Sequence, residues 1–314
     1  MLDERAAVLL AALMVEAAVG YPHWLHARVP HPVVWAGGGI ARLEMLLNHG
    51  LAERRRAMGS IALLTLSSIA VAAGLLLERL LADWPMVIGL VLVTTLGLAQ
   101  RSLHDHVLAV MKPLACGDLV AARAAVAMIV GRDTQNLDSS GIAAAATESL
   151  AESLSDGVTA PAFWFLAAGL PGLFLYKLVN TADSMIGHRD ARHEAYGWSA
   201  ARTDDLMNLV PARLSALLIA AAAGPARFRP ALSTAWHDAS KHPSPNAGWP
   251  EAAMAGALGI RLGGPARYGG EWVERPAMGR GRAAVPHDLA RALGLYHRAC
   301  VLLWLAVGAL AWLA

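Results

Sequence analysis

The 314-residue sequence is 56% apolar and 16% charged, with a formal net charge of +2 and a mean hydropathy of +0.44. An average soluble domain is about one-quarter charged, so these values exclude disorder and a fibrous protein, argue against an ordinary soluble globule and point to a membrane. The near-neutral balance supplies no strong field for nucleic acid, and two cysteines, Cys116 and Cys300, exclude a disulfide framework and lack metal or redox spacing.

Ala and Leu dominate the apolar content, which favours helix over strand. The expected fold is all-α: a polytopic helical membrane protein, one domain over residues 1–314, with about five membrane segments and large polar loops. A span needs about 20 apolar residues. In chain order the segments fall near 6–20, 59–77, 85–99, 158–179, 206–223 and 299–314. The first is short, contains Glu16 and lacks the positive start of a signal peptide, so it reads as a retained helix. The second is long and uncharged, and a short break at 78–84 makes it a hairpin with the third. The fourth is interrupted by Gly169-Leu-Pro-Gly172, and reads as one kinked span or two half-helices. The fifth contains Pro211 and Arg213. Arg213 either faces a polar cavity or sits at the headgroups of a span that begins later. Residues 101–157 read as Ala-rich helix, and 224–292 as a loop-rich polar region with frequent Gly, Pro and Trp. Positive-inside counting places Arg54-Arg55-Arg56, and with it 101–157, in the cytoplasm.

The chemistry concentrates in a few strings. Gly131-Arg-Asp-Thr134 is followed by Glu148, Glu152 and Asp156 at i, i+4 and i+8. On one helix these acids share a face, where like charges repel. They call for a cation such as Mg²⁺, a hard ion held by carboxylates and phosphate oxygens, or else form a solvated or Arg-paired face. Asn180 and Asp183 share a second face. Asp204-Asp205, Asn208 and Arg213 form a third cluster suited to metal and phosphate, although the Asp pair alone suits a helix N-cap and its neighbour better. Pro30-His31-Pro-Val33, His242-Pro-Ser-Pro-Asn246-Ala-Gly-Trp-Pro-Glu251 and Leu262-Gly-Gly-Pro265 with Tyr268-Gly-Gly270 are either anion-binding loops or plain turns. Walker-type, zinc-protease and nucleophile-elbow motifs are absent from the sequence. The scattered histidines, including His23 and His26, read as surface or interface residues.

Taken together, these strings resemble the adenosylcobinamide-phosphate synthases of cobalamin biosynthesis, called CobD or CbiB. Ala160-Pro161, Phe163-Trp164, Pro211-Ala-Arg213 and Ser244-Pro-Asn246 add to the match, which runs from the first segment to about Gly270. Ser153, Gly20-Tyr21-Pro22 and Glu16 depart from the usual family residues. The resemblance implies a multi-pass enzyme of the bacterial inner membrane with its site on the cytoplasmic side. It would join the free propionate of adenosylcobyric acid to the amine of (R)-1-amino-2-propanol O-phosphate, consuming ATP and Mg²⁺. Glu148, Glu152, Asp156, Asp183, Asp204 and Asp205 would hold Mg²⁺–ATP or act as base, the first three as the catalytic group and the last three as the metal group. Arg132 and Arg213 would bind phosphate. Asn180, Asn208 and Asn246, with His31 and Tyr268, would bind substrate. The partners implied are the small-molecule substrates and the lipid bilayer, with a complex of late-pathway enzymes as a further partner. The competing readings are a transporter or corrinoid-binding membrane protein without ligase activity, supported by the broken helix and the charges in apolar segments, a membrane phosphotransferase, and a structural subunit.

Overall fold

The computed structural model describes residues 2–22, 28, 30–81, 86–188 and 190–313. His23, His26, the start of the 85–99 segment and Ala314 lie outside the described residues. The described residues are mainly helical, with five short strands among them near the C-terminal end. Among the described residues four helical stretches are long and apolar enough to cross a membrane: Ala52–Leu80, Val87–Ala115, Ser139–Ile186 and Pro286–Leu313. A fifth arises if the bent pair Trp198–Met207 and Leu209–Ala222 counts as one span. The 18-residue helix α1 (Leu2–Val19) is not among them, because it carries Asp3, Glu4, Arg5 and Glu16. The chain divides into two compact units, residues 1–99 with 160–208 and 307–314, and residues 100–159 with 209–306.

In the first unit, α2 (Pro32–Leu47), α3 (Ala52–Leu80), α4 (Val87–Thr95), α8 (Ala160–Ile186) and α9 (Trp198–Met207) pack with α1. Pro32 starts α2 with its fixed φ, and the His31 imidazole accepts the Val33 N–H at 3.3 Å as its cap. The core joins Ile40, Ala62, Leu178, Ala182, Ile186, Tyr196 and Ala200. Gly74 of α3 lies against the Leu170–Pro171 backbone of α8, where a methyl group would come within 2.6 Å of the Pro171 nitrogen. The interruption expected at Gly169-Leu-Pro-Gly172 is present. Ala168 and Gly169 leave the helical region, Gly169 has φ +66°, and Pro171 follows inside the turn.

In the second unit, α5 (Gln100–Ala115), α6 (Leu119–Ala127), α7 (Ser139–Leu154), α10 (Leu209–Ala222), α11 (Pro225–Asp238) and α12 (Gly248–Leu258) pack with the N-terminal part of α13 (Pro286–Leu313). Asp118 caps α6 and Asp138 caps α7, each through a carboxylate that accepts a backbone N–H of the first turn. A π-helical turn, Ser155–Thr159, ends α7.

The 224–292 region differs from its sequence reading. It holds α11, α12 and β1–β5, spanning Ile260–Gly263, Ala266–Tyr268, Glu271–Val273, Ala277–Met278 and Arg282–Ala283. From Pro250 to Leu258 every residue of α12 is buried, and a helix buried on all sides carries no amphipathic period. Gly256 fits against Pro230 and Thr234 of α11, so small residues rather than an apolar stripe make the contact. Strand β1 pairs antiparallel with β4 and parallel with β5. Strands β2 and β3 form a hairpin around Gly269-Gly270, both at positive φ, as a two-residue turn requires.

Candidate functional site

The first polar surface of the second unit is a cavity of about 390 Å³. One wall is α7, which presents Glu148, Ser149 and Glu152. The loop 129–132 supplies Arg132, the loop before α12 supplies His242, α12 supplies Glu251, and the strand region supplies Tyr268, Glu274 and Arg275. Glu148 is the buried anchor, at 3% exposure. Its Oε1 accepts the Gly263 N–H at 2.7 Å. Its Oε2 takes the Arg132 guanidinium, with Arg275 at 3.4 Å. A carboxylate held by two guanidiniums and an amide is fixed in position.

The Gly131-Arg-Asp-Thr134 string is explained by this frame. Arg132 pairs with Glu148, while Asp133 accepts the Gly270 N–H at 2.7 Å and donates its own N–H to Arg267. The string therefore ties α7 to the β2–β3 hairpin and brings Tyr268 to the cavity. The Ser149 hydroxyl donates to the Ile129 carbonyl at 2.7 Å and holds the same loop from the other side.

Glu251 is 2% exposed. Its Oε1 lies 3.7 Å from His242 Nε2, and its Oε2 has no hydrogen-bond partner. Burial, then the negative charges of Glu152 and Glu148, push the Glu251 carboxyl well above the usual range. Burial, then Arg275, hold the His242 imidazole below its ordinary value. Burial works against the Arg275 charge, but Glu148 and the further acids raise its pKa nonetheless.

Of the residues singled out from sequence, Arg132, Glu148, Glu152 and Tyr268 meet here. Asp156 does not line the cavity. It sits in the π-helical turn that ends α7. Arg213 and Asn246 meet elsewhere in this unit: the guanidinium donates to Asn246 Oδ1 at 3.3 Å and lies 4.6 Å over the Trp249 ring. Asn180, Asn208 and Asp204 meet in the first unit. Asn180 and Asn208 each donate to an oxygen of Asp204, at 3.2 and 3.0 Å, and Tyr176 donates to Asn208 at 3.1 Å. Asp205 lies 3.7 Å from Arg202, the Asp183 carbonyl accepts the Gly187 N–H, and His31 is the α2 cap. Among the described residues no group of three or more His, Cys, Asp or Glu side chains is placed to hold a metal ion, and both Asp204 oxygens are engaged by amides.

His242, Glu251 and Arg275 line the cavity without a role in the sequence reading. His242 and Glu251 stand in a string read as a turn or anion loop. The signal available was their position beside the first turn of a short helix. Arg275, between Glu274 and Pro276, has no local signal at all.

The model of the CobD/Cbib protein family matches residues 9–296. The cobalamin biosynthesis protein CobD of Rhodobacter capsulatus is 49% identical over 308 residues, covering 98% of this chain and 97% of that protein. Those of Rhizobium meliloti and Brucella suis are each 45% identical, covering 97% and 94% of this chain and 96% and 93% of theirs. No solved structure matches. With the family model covering nearly the whole chain and relatives of nearly equal length at this identity, the chain belongs to the CobD/Cbib family.

Proposed function

We propose that this protein is a cobalamin biosynthesis enzyme, an ATP-dependent amide ligase of the inner bacterial membrane. It joins the free propionate of adenosylcobyric acid to (R)-1-amino-2-propanol O-phosphate and yields adenosylcobinamide phosphate. The relatives named for cobalamin biosynthesis support the pathway. The observation that carries the reaction is the cavity that sets two fixed guanidiniums, Arg132 and Arg275, beside the acids Glu152 and Glu251.

A carboxylate and an ammonium do not condense in water. Transfer of the ATP γ-phosphoryl group to the propionate gives an acyl phosphate with a good leaving group. Mg²⁺ accompanies the nucleotide as part of that substrate. Arg132 and Arg275 stabilise phosphate charge, held in place by Glu148, and such preorganised donors act without reorganisation in the transition state. The cavity is of a size to enclose a small amino alcohol phosphate, while the corrin ring reaches it only through its propionate arm. We place this face in the cytoplasm, where ATP is, in keeping with the positive-inside count for 101–157. A complex with neighbouring late-pathway enzymes would suit scarce, large intermediates.

The test uses purified, detergent-solubilised protein with adenosylcobyric acid, aminopropanol phosphate, ATP and Mg²⁺. Mass spectrometry follows the corrinoid amide while nucleotide hydrolysis is read in the same tube. Amide that requires all four components supports the ligase. Its absence beside an active relative favours a corrinoid-binding or transport role.

A further inference from the structure

We propose that Glu251 is the base that takes the proton from the incoming ammonium, with His242 as its positioning residue. The inference rests on the ligase reading and names the group in the same cavity that prepares the amine. An amine reaches neutral solution as R–NH₃⁺, which has no lone pair for attack. Within the cavity Arg132 and Arg275 are cations committed to Glu148, and so cannot accept a proton. Glu148 is saturated by those two guanidiniums and the Gly263 N–H. Glu251 differs: it is buried in the cavity wall and its Oε2 carries no hydrogen bond. A buried carboxyl oxygen without a partner costs free energy unless something polar meets it in the working state.

The other oxygen is oriented. The Ser244 N–H donates to His242 Nδ1 at 3.0 Å, and the Ser244 carbonyl stands 3.3 Å from the same nitrogen; with Nδ1 as the acceptor, Nε2 carries the ring proton. That Nε2 faces Glu251 Oε1 at 3.7 Å. Oε1 faces the histidine, and Oε2 is the buried oxygen that no protein group engages. The charged groups around Glu251 are Glu152 and Glu148 on α7, with Arg132 and Arg275 on the facing loops. Burial and the two acids raise its proton affinity above that of an ordinary carboxylate, which strengthens it as a base.

The step balances. R–NH₃⁺ gives one proton to the Glu251 carboxylate, leaving R–NH₂ and a neutral carboxyl. The nitrogen lone pair attacks the acyl phosphate carbon, the C–N bond forms and the C–O bond to phosphate breaks. The second nitrogen proton leaves with the phosphate. The carboxyl proton returns to solvent.

Hydroxylamine separates this role from the rest of catalysis, because it is uncharged at neutral pH and needs no base. Wild type and Glu251→Gln are assayed with adenosylcobyric acid, Mg²⁺ and ATP, and with either aminopropanol phosphate or hydroxylamine. The expected result is hydroxamate formation at the wild-type rate and amide formation lower by about a hundredfold or more. The residual amide rate should rise with pH as free amine appears in solution. Glu251→Asp, which withdraws the carboxylate by one methylene, carries the same comparison if Glu251→Gln does not purify as folded protein. Wild-type amide formation in the variant overturns the proposal, as does loss of hydroxamate in step with amide. If the wild type makes neither product, the ligase reading itself fails, a result visible without any variant.

Discussion

Glu148 Oε1 accepts the backbone N–H of Gly263 at 2.7 Å across 115 residues of chain, and its Oε2 faces Arg132 and Arg275. One acid on α7 thus fixes the loop 129–132, strand β1 and the segment carrying Arg275. Replacing it removes a buried partner from two mostly buried guanidiniums. Glu148→Gln should lower stability by about 3–5 kcal/mol, the range for stranding a buried charge, and abolish activity. Thermal unfolding in detergent reads the first effect. A melting temperature equal to wild type would show that Glu148 is not the anchor.

Gly169 is where the α8 helix breaks, at φ +66°. A Cβ there would also press on the Glu78 carboxylate. Gly169→Ala should therefore cost about 1–3 kcal/mol from the backbone conformation, with the contact adding to it. The same substitution at Gly131, where no atom stands within 4 Å of a new Cβ, should be nearly neutral to folding. Parallel melting curves of the two variants check the difference.

Arg192 donates two hydrogen bonds to Glu44, at 2.9 and 2.7 Å, and Asn48 adds a third. These bonds, Arg192 foremost, lower the Glu44 pKa from 4.5 to about 2. A depressed carboxylate stabilises the fold above its unfolded value and loses that contribution as pH falls through its folded value. The stabilisation should be complete above about pH 4.5 and vanish toward pH 2. Arg192→Gln should flatten that part of the unfolding-versus-pH curve while changing little in its shape at higher pH. Because Arg192 is largely exposed, salt should weaken the effect. An unchanged acid limb in the variant would disprove the assignment.

The parts of this architecture legible in the sequence are those written in contiguous strings. Long apolar runs announced the spans, and Gly169-Leu-Pro-Gly172 announced the break, because Gly and Pro act on the local backbone. Arg132 and Glu148 stand in two such strings, one read for phosphate and one for metal or base, and the structure pairs them. What stayed hidden depends on distance or phase. Arg275 finds Glu148 from 127 residues away with nothing beside it to mark it. Asp156 continues the i, i+4, i+8 spacing, yet it stands in the π turn beyond the cavity's lining. The α12 helix, buried on every side, has no polar stripe to show its period, so Glu251 read as part of a loop. Asn180, Asp204 and Asn208 were picked as metal and substrate ligands, and the structure shows them bonded to one another.

The most direct test of the account compares corrinoid amide formation by wild type and Arg275→Gln, side by side, with all four reactants. Arg275 is a cavity residue paired with Glu148. Removing one stabilising donor from a reacting phosphate typically lowers the rate about 10²–10³-fold. The account predicts amide from the wild type only when every component is present, and a loss of that size in the variant. A variant that forms amide at the wild-type rate would contradict the placement of the reaction in this cavity, and a wild type that forms none beside an active relative would contradict the reaction itself.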